Sequence, residues 1–235
     1  MNKQVKDAFT KIMITKLPQV LSPRQVASII QLIEHGSFNS GKDTAGWHAK
    51  AVKHNLQWQG DAELNEQIQT GIQGALTQHP QFTGAAYAKA MMPFIISEST
   101  LGGGYGDHID DALMVNESVL RTDISCTLFL TPPQDYEGGE LVMNLSGMEM
   151  AFKLNAGDAI IYPSTTLHRV NPVTSGSRKA ALTWIESHIP QASQREILFD
   201  LDYARKEIME HHGKTAAFDR ITKTHANLLR QWAMT

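Results

Sequence analysis

Residues 157–170, which read GDAIIYPSTTLHRV, are the stretch of sequence that best predicts the fold. A run of apolar, β-branched and aromatic residues at 159–162 lies between two turn signals, Gly157-Asp158 before it and Pro163 after it. A short apolar run bounded in this way is typical of a buried strand. The segment therefore predicts a strand, with His168 following at the end of this β segment.

The same pattern extends through the middle of the chain. Short β-rich runs separated by glycine and proline turns occur at residues 90–96, 124–130, 140–143, 159–162 and 180–185. Many short strands at this spacing predict a sandwich or barrel. Helical spacing of apolar residues precedes the strands and returns after Pro190, and Ser22-Pro23-Arg24-Gln25 is typical of a helix start. We predict an α+β chain with an N-terminal helical flank (1–86), a β core (87–188) and a C-terminal helical extension (189–235).

Composition excludes several classes of protein. The 235 residues include 21 basic and 24 acidic side chains, and this net charge of −3 argues against a nucleic-acid binder held by phosphate contacts. The single cysteine, Cys126, excludes a disulfide framework and any cysteine-rich metal site. The sequence contains neither an apolar run long enough for a membrane span nor the apolar segment of a signal peptide. We therefore expect a soluble cytoplasmic protein with no membrane partner.

Three residues are candidate metal ligands. In His108-Ile109-Asp110, residues i and i+2 of a strand would point to the same face, so the imidazole and the carboxylate would converge while Ile109 packs behind. A histidine from a distant strand, here His168, would complete the two-histidine, one-carboxylate set that holds iron(II) in non-haem oxygenases. Without the second histidine, the alternative is a polar pair in a loop.

Arg178 is the candidate anchor for an anionic cosubstrate. It lies ten residues after His168 and opens the strand predicted at 179–185. An arginine inside an apolar barrel requires an anionic partner, and its planar fork suits the distal carboxylate of 2-oxoglutarate. The alternative is a surface arginine in a turn. Trp184 shares the predicted face of Arg178 and would line the cosubstrate site or pack in the core, whereas Tyr105 would need a turn to reach the pocket.

These candidates lie in ordered blocks that resemble the iron(II)- and 2-oxoglutarate-dependent dioxygenases. Within them, the chain resembles the prolyl-hydroxylase-related PKHD-type (PiuC-like) hydroxylases over nearly its whole length. The blocks include Tyr105-Gly106-x-His108-x-Asp110, Arg121-Thr122-Asp123-x-Ser125, Tyr136-x-Gly138-Gly139-Glu140-Leu141, Leu167-His168-Arg169-Val170 and Leu198-Phe199-Asp200-Leu201-Asp202. The resemblance implies a double-stranded β-helix (jelly-roll) core and dependence on Fe(2+), 2-oxoglutarate and L-ascorbate.

The resemblance also implies the reaction, in which dioxygen and 2-oxoglutarate are consumed, succinate is released and a substrate is hydroxylated. Kinship with prolyl hydroxylases indicates a peptidyl residue as substrate, and similarity to an iron-uptake factor indicates a small molecule such as a siderophore. Two departures concern the cosubstrate. Glu98-Ser99 stands where the family usually has an Arg-Tyr pair, and Phe129 stands where related prolyl hydroxylases have a tyrosine that contacts 2-oxoglutarate.

Two other functions use the same residues. A zinc-type hydrolase can also be built on two histidines and a carboxylate, but it would not need Arg178 at its position after His168. A non-catalytic iron or 2-oxoglutarate sensor would have no need of three metal ligands with open coordination positions. The terminal helices are expected either to pack on the sheet or to form the interface of a possible homodimer.

Overall fold

The computed structural model describes residues 14–44, 51–115, 118–145 and 147–235. Two antiparallel sheets form a jelly-roll core, and helices from both ends of the chain flank it, which confirms the predicted fold class. Within these described ranges, no helix is both long and apolar enough to cross a membrane.

Five α-helices occur in the described ranges: α1 Pro23–Glu34, α2 Ala62–Gln78, α3 Pro80–Ala86, α4 Ala192–His212 and α5 Ala216–Trp232. The predicted capping box is present before α1, where the Ser22 hydroxyl accepts from the Gln25 amide and the Gln25 side chain accepts from the Ser22 amide. Asp61 caps α2 through the amide of Leu64. These contacts satisfy backbone donors that a helix start leaves without partners, so the local sequence defines where both helices begin.

The strands of the described ranges are β1 Thr15–Leu17, β2 Ser37–Ser40, β3 Lys53–His54, β4 Leu56–Gln59, β5 Ala88–Met91, β6 Ile95–Ser99, β7 Gly104–His108, β8 Leu113–Val115, β9 Val119–Arg121, β10 Ile124–Phe129, β11 Tyr136–Gly138, β12 Leu141–Leu145, β13 Met148–Phe152, β14 Ala159–Pro163, β15 Leu167–Val170, β16 Val173–Gly176 and β17 Arg178–Ser187. The major sheet has the order β1-β14-β10-β17-β6-β4-β2, and β5 also pairs with β17. The minor sheet has the order β13-β12-β15-β7-β3, while β11 pairs with β16 and β8 with β9.

Two details differ from the predicted elements. The run at 90–96 is divided between β5 and β6, because Pro93 lies between them and cannot donate to a strand ladder. The N-terminal flank, predicted as helical, also supplies β1 to β4, which extend both sheets. These strands have two to four residues each, so they give little periodicity that a sequence pattern could reveal.

Alternate residues of the major sheet pack on different layers. Leu128 and Ile161 belong to the apolar cluster that includes the buried faces of α1, α2 and α3. Their neighbours Phe129 and Ile160 belong to a second cluster, which includes Met143 of the minor sheet. This alternation is the two-residue period of strands buried on both faces. The second cluster fills part of the space between the sheets, and a cavity occupies another part.

Candidate metal centre and cosubstrate pocket

The cavity between the two sheets brings all six predicted site residues together. Its lining includes the three candidate metal ligands, the candidate anchor and the two aromatic candidates: Tyr105, His108, Asp110, His168, Arg178 and Trp184. They come from β7 and the residues that follow it, from β15 and from β17. The fold therefore places residues from distant parts of the sequence around one space.

The three candidate ligands meet at distances that suit a single ion. One ligand atom from each of His108, Asp110 and His168 lies within 4.8 Å of the others. Asp110 Oδ1 lies 4.0 Å from His108 Nε2, and Asp110 Oδ2 lies 3.9 Å from His168 Nε2. The two histidines are directly opposite each other in the pairing of β7 with β15. Sheet register therefore determines which distant histidine faces His108.

Both imidazoles are oriented by the backbone in the same way. Nδ1 of His108 is 2.8 Å from the carbonyl oxygen of Gly106, and Nδ1 of His168 is 2.9 Å from that of Thr166. Because a carbonyl only accepts, Nδ1 must donate in both rings, which leaves Nε2 with its lone pair for a metal. Burial, together with nearby His168, lowers the pKa of His108 to about 4 and so favours the neutral form that binds metals.

Asp110 is held by a pair of buried serines. The Ser125 hydroxyl, on β10, donates to Asp110 Oδ2 at 2.5 Å and lies 2.8 Å from the hydroxyl of Ser164. The expectation that His108 and Asp110 share one strand is wrong, since β7 ends at His108 and Asp110 follows it. The expected packing of Ile109 is also wrong, because that side chain is 48% exposed. The carboxylate reaches the histidines from the irregular segment after the strand, held by the hydrogen bond from Ser125.

Arg178 contributes a buried guanidinium to the lining of the cavity, so the surface-turn alternative is wrong. The residue is 2% exposed, and within the described ranges its Nε and Nη2 atoms have no hydrogen-bond partner. Burial is the main cause that lowers its pKa, and the ring of Phe129 lies 5.4 Å from Cζ. A buried cation with unsatisfied donors is unfavourable unless an anion joins it. The chemistry of this group therefore fits a carboxylate that enters through the cavity.

An irregular strand pairing brings Tyr105 to the metal side of the sheet. The register of β7 with β15 shifts between the pair His168–His108 and the pair Val170–Tyr105. Such a bulge offsets the two-residue alternation, so residues three apart can share a face. The ring of Tyr105 consequently stacks on that of His108, with centroids 3.6 Å apart and an angle of 15° between the planes. Trp184 shares the cavity face of β17 with Arg178, as its spacing predicts.

A polar wall along β3, β4 and β6 also lines the cavity, and the sequence analysis did not predict it. Its members are buried polar side chains: Lys53, Asn55, Gln57, Ser97 and Ser99. Nδ2 of Asn55 donates to the hydroxyl of Ser97 at 2.6 Å. Burial lowers the pKa of Lys53 to about 8. The available signal was the alternation of polar residues at 53, 55 and 57, which has the period of a strand with an inward polar face.

Comparison with known proteins decides the family. The 2OG-Fe(II) oxygenase superfamily model matches residues 94–186, and the PKHD-type hydroxylase C-terminal domain model matches residues 193–233. A PKHD-type hydroxylase of Colwellia psychrerythraea is 96% identical over 223 residues, which cover 95% of this chain and 100% of that protein. The chain belongs to the PKHD-type hydroxylases. A relative from Acaryochloris marina is 45% identical over 221 residues, covering 94% of this chain and 100% of its own.

Solved structures share the fold at low sequence identity. A Pseudomonas putida prolyl-4-hydroxylase superposes with a TM-score of 0.52 at 20% identity, covering 78% of this chain and 97% of its own. A prolyl hydroxylase from Trichoplax adhaerens, in complex with a peptide fragment, gives 0.55 at 13% identity, covering 84% and 96%. HygX from Streptomyces hygroscopicus, with nickel, 2-oxoglutarate and hygromycin B bound, gives 0.51 at 10% identity, covering 79% and 88%.

Family membership makes this chain an oxygenase enzyme of the class that uses Fe(2+) and 2-oxoglutarate. It argues against the zinc-type hydrolase and the non-catalytic sensor, which would use the same three ligands.

Proposed function

We propose that this enzyme hydroxylates a peptidyl residue or a small molecule such as a siderophore, with decarboxylation of 2-oxoglutarate to succinate. The observation that carries the proposal is the convergence of His108, Asp110 and His168 in one cavity with the buried guanidinium of Arg178. A hydrolase would have no use for that guanidinium, whereas a 2-oxoglutarate enzyme needs a cation for the distal carboxylate.

Each residue has a distinct role in this proposal. Nε2 of His108, Nε2 of His168 and Oδ1 of Asp110 would hold Fe(2+), because Ser125 already occupies the other carboxylate oxygen. When bound, iron supplies the oxygen chemistry that protein side chains lack. Arg178 would bind the distal carboxylate of 2-oxoglutarate, and Tyr105 and Trp184 would wall the site. L-ascorbate, which the family resemblance implies, would act as an auxiliary reductant.

Both kinds of substrate remain compatible with the cavity. The polar wall offers hydrogen-bonding groups to a peptide or to a polar small molecule. Among enzymes of this fold, one was solved with a peptide fragment and another with hygromycin B. The fold therefore accommodates both kinds, and a substrate screen must include both.

The test is succinate formation from 2-oxoglutarate by the Fe(2+)-loaded enzyme, measured by NMR with proline peptides and siderophores as substrates. We expect succinate with at least one substrate and none from a His168→Ala variant. Arg178→Met should raise the 2-oxoglutarate concentration for half-maximal rate by tenfold or more, because hydrogen bonds to charged groups have large effects. Arg205→Met, which removes an arginine paired with Asp202 on α4, is the matched control. Absence of succinate with every substrate, or an unchanged 2-oxoglutarate requirement in Arg178→Met, would contradict the proposal.

A further inference from the structure

A lysine is buried in the polar wall of the cavity. Lys53 is 7% exposed and is one of the residues that line the space around the metal ligands. In the pairing of β3 with β7 it is opposite Tyr105, whose ring stacks on that of His108. Its Nζ atom lies 5.5 Å from the centroid of the Tyr105 ring. Sheet register therefore places an amino group beside the aromatic ring that covers one metal ligand.

This lysine keeps its charge at neutral pH. Burial lowers its pKa to about 8, and the negative charge of Asp110 opposes that change. A group with this pKa is still mostly protonated at pH 7, so the cavity wall carries a positive charge. A buried ammonium loses its hydration, and a nearby anion offsets that loss. Lys53 therefore favours an anion in the cavity.

The charges of the metal and the cosubstrate balance without this lysine. The positive charges of Fe(2+) and Arg178 would equal the negative charges of Asp110 and the two carboxylates of 2-oxoglutarate. Asp111 also lines the cavity, but it is exposed, so solvent screens its charge. Lys53 thus adds a further positive charge to the cavity once the cosubstrate is bound.

Lys53 and Arg178 have different surroundings. Lys53 lies on the minor sheet opposite Tyr105, whereas Arg178 lies on the major sheet opposite Ser99. The wall beside Lys53 is made of uncharged polar groups, and Nδ2 of Asn55 donates to the Ser97 hydroxyl there at 2.6 Å. One cation can therefore hold the cosubstrate while the other faces a second anionic group.

We propose that Lys53 binds a carboxylate of the hydroxylated substrate, so that the enzyme selects an acid over the corresponding amide. The carboxylate would belong to a small acid or to an acidic residue of a peptide, since an ammonium recognises both in the same way. Burial makes the selection sharp, because a neutral group in that place would not offset the positive charge. The inference rests on the proposed function, which assigns Fe(2+) and 2-oxoglutarate to the same cavity.

The test compares matched acids and amides as ligands of the enzyme loaded with Zn(2+) and saturating 2-oxoglutarate. The small-molecule arm uses N-acetylated amino acids and their carboxamides. The peptide arm uses capped proline peptides with glutamate or glutamine next to the proline. Ligand-observed NMR titration measures each Kd, and the arm in which acids bind more tightly identifies the source of the carboxylate.

We expect the acids of at least one arm to bind about tenfold or more tightly than their amides, and Lys53→Met to abolish this preference. Lys206→Met is the matched control, because it removes an exposed lysine that pairs with Asp202 on α4, and it should keep the preference. The Kd of 2-oxoglutarate, measured by isothermal titration, should be unchanged in Lys53→Met.

Three results would overturn this proposal: equal binding of acids and amides in both arms, an unchanged preference in Lys53→Met, or a rise in the Kd of 2-oxoglutarate as large as that in Arg178→Met. The last result would assign Lys53 to the cosubstrate. If Lys53→Met does not fold, a crystal structure of the unsubstituted enzyme with a bound acid decides, since Nζ must lie within about 3.2 Å of a carboxylate oxygen of that acid.

This inference and the proposed function can fail separately. If Arg178→Met weakens 2-oxoglutarate binding and Lys53→Met leaves the preference for acids intact, only this inference fails. If Arg178→Met has no effect on 2-oxoglutarate binding, the proposed function itself fails.

Discussion

Replacing Ser125 by alanine would remove the hydrogen bond that orients the carboxylate of Asp110. That bond is 2.5 Å long and is made to a side chain only 7% exposed, next to both histidine Nε2 atoms. A hydrogen bond to a charged group contributes about 1.5–3 kcal/mol. Removing such partners of metal ligands typically lowers metal affinity by about 10- to 100-fold, which corresponds to about 1.4–2.8 kcal/mol. The two ranges agree, so we expect Ser125→Ala to raise the metal Kd by about 10- to 100-fold.

The assay is competition between the enzyme and a fluorescent chelator for Ni(2+), with circular dichroism to check folding. Ser164→Ala is the control, because it removes the hydroxyl that contacts Ser125 but leaves the hydrogen bond from Ser125 to Asp110. Its effect on the metal Kd should be clearly smaller. An unchanged Kd in folded Ser125→Ala, or equal effects of the two substitutions, would refute the reasoning.

Three further predictions concern the backbone, the cysteine and pH. Gly139→Ala should lower the free energy of unfolding by about 1–3 kcal/mol in denaturant titrations, because φ is +66° and the new Cβ meets two side chains at 3.0 Å. An unchanged denaturant concentration at the unfolding midpoint, with an unchanged slope of free energy against denaturant, would contradict this. Cys126 is buried with its pKa raised to about 12, so native enzyme should resist thiol reagents at pH 8 and react once unfolded; fast native labelling would be inconsistent with this burial. The pKa of His108 is about 4 in the folded metal-free enzyme, whereas its ordinary value is 6.5. Between these two values the unfolded state binds a proton at His108 and the folded state does not. The free energy of unfolding should therefore fall as pH drops from 6.5 towards 4. Denaturation at pH 7 and pH 5 should show a smaller fall for His108→Gln than for the unsubstituted enzyme, and equal falls would exclude His108 as a cause.

Local sequence patterns were enough to predict the main secondary-structure elements. The capping box at Ser22 and the turn signals around residues 159–162 depend on neighbours within a few residues, so the sequence displays them directly. The choice of His168 as partner of His108 required more, because it depends on the pairing of β7 with β15, sixty residues apart. The position of His168 after a further β segment suggested it as the second histidine, and the family resemblance supported that choice.

The features that were missed, or that were expected only through a turn as for Tyr105, depend on contacts that local residue spacing does not reveal. Tyr105 faces His108 only because the register shifts beside it, and a regular strand would turn the ring away. Lys53 and Gln57 lie on strands too short to be predicted, and Asn55 lies between those strands, although the alternation of the three has the correct period.

Anaerobic titration of the enzyme with Fe(2+), followed by 2-oxoglutarate, tests the central claim most directly. The claim is that His108, Asp110 and His168 hold one ion and that 2-oxoglutarate binds between that ion and Arg178. We predict one Fe(2+) per chain, tight 2-oxoglutarate binding only after the metal, and loss of both in Asp110→Ala. Unchanged metal stoichiometry and affinity in that variant, or equally tight 2-oxoglutarate binding without metal, would contradict it.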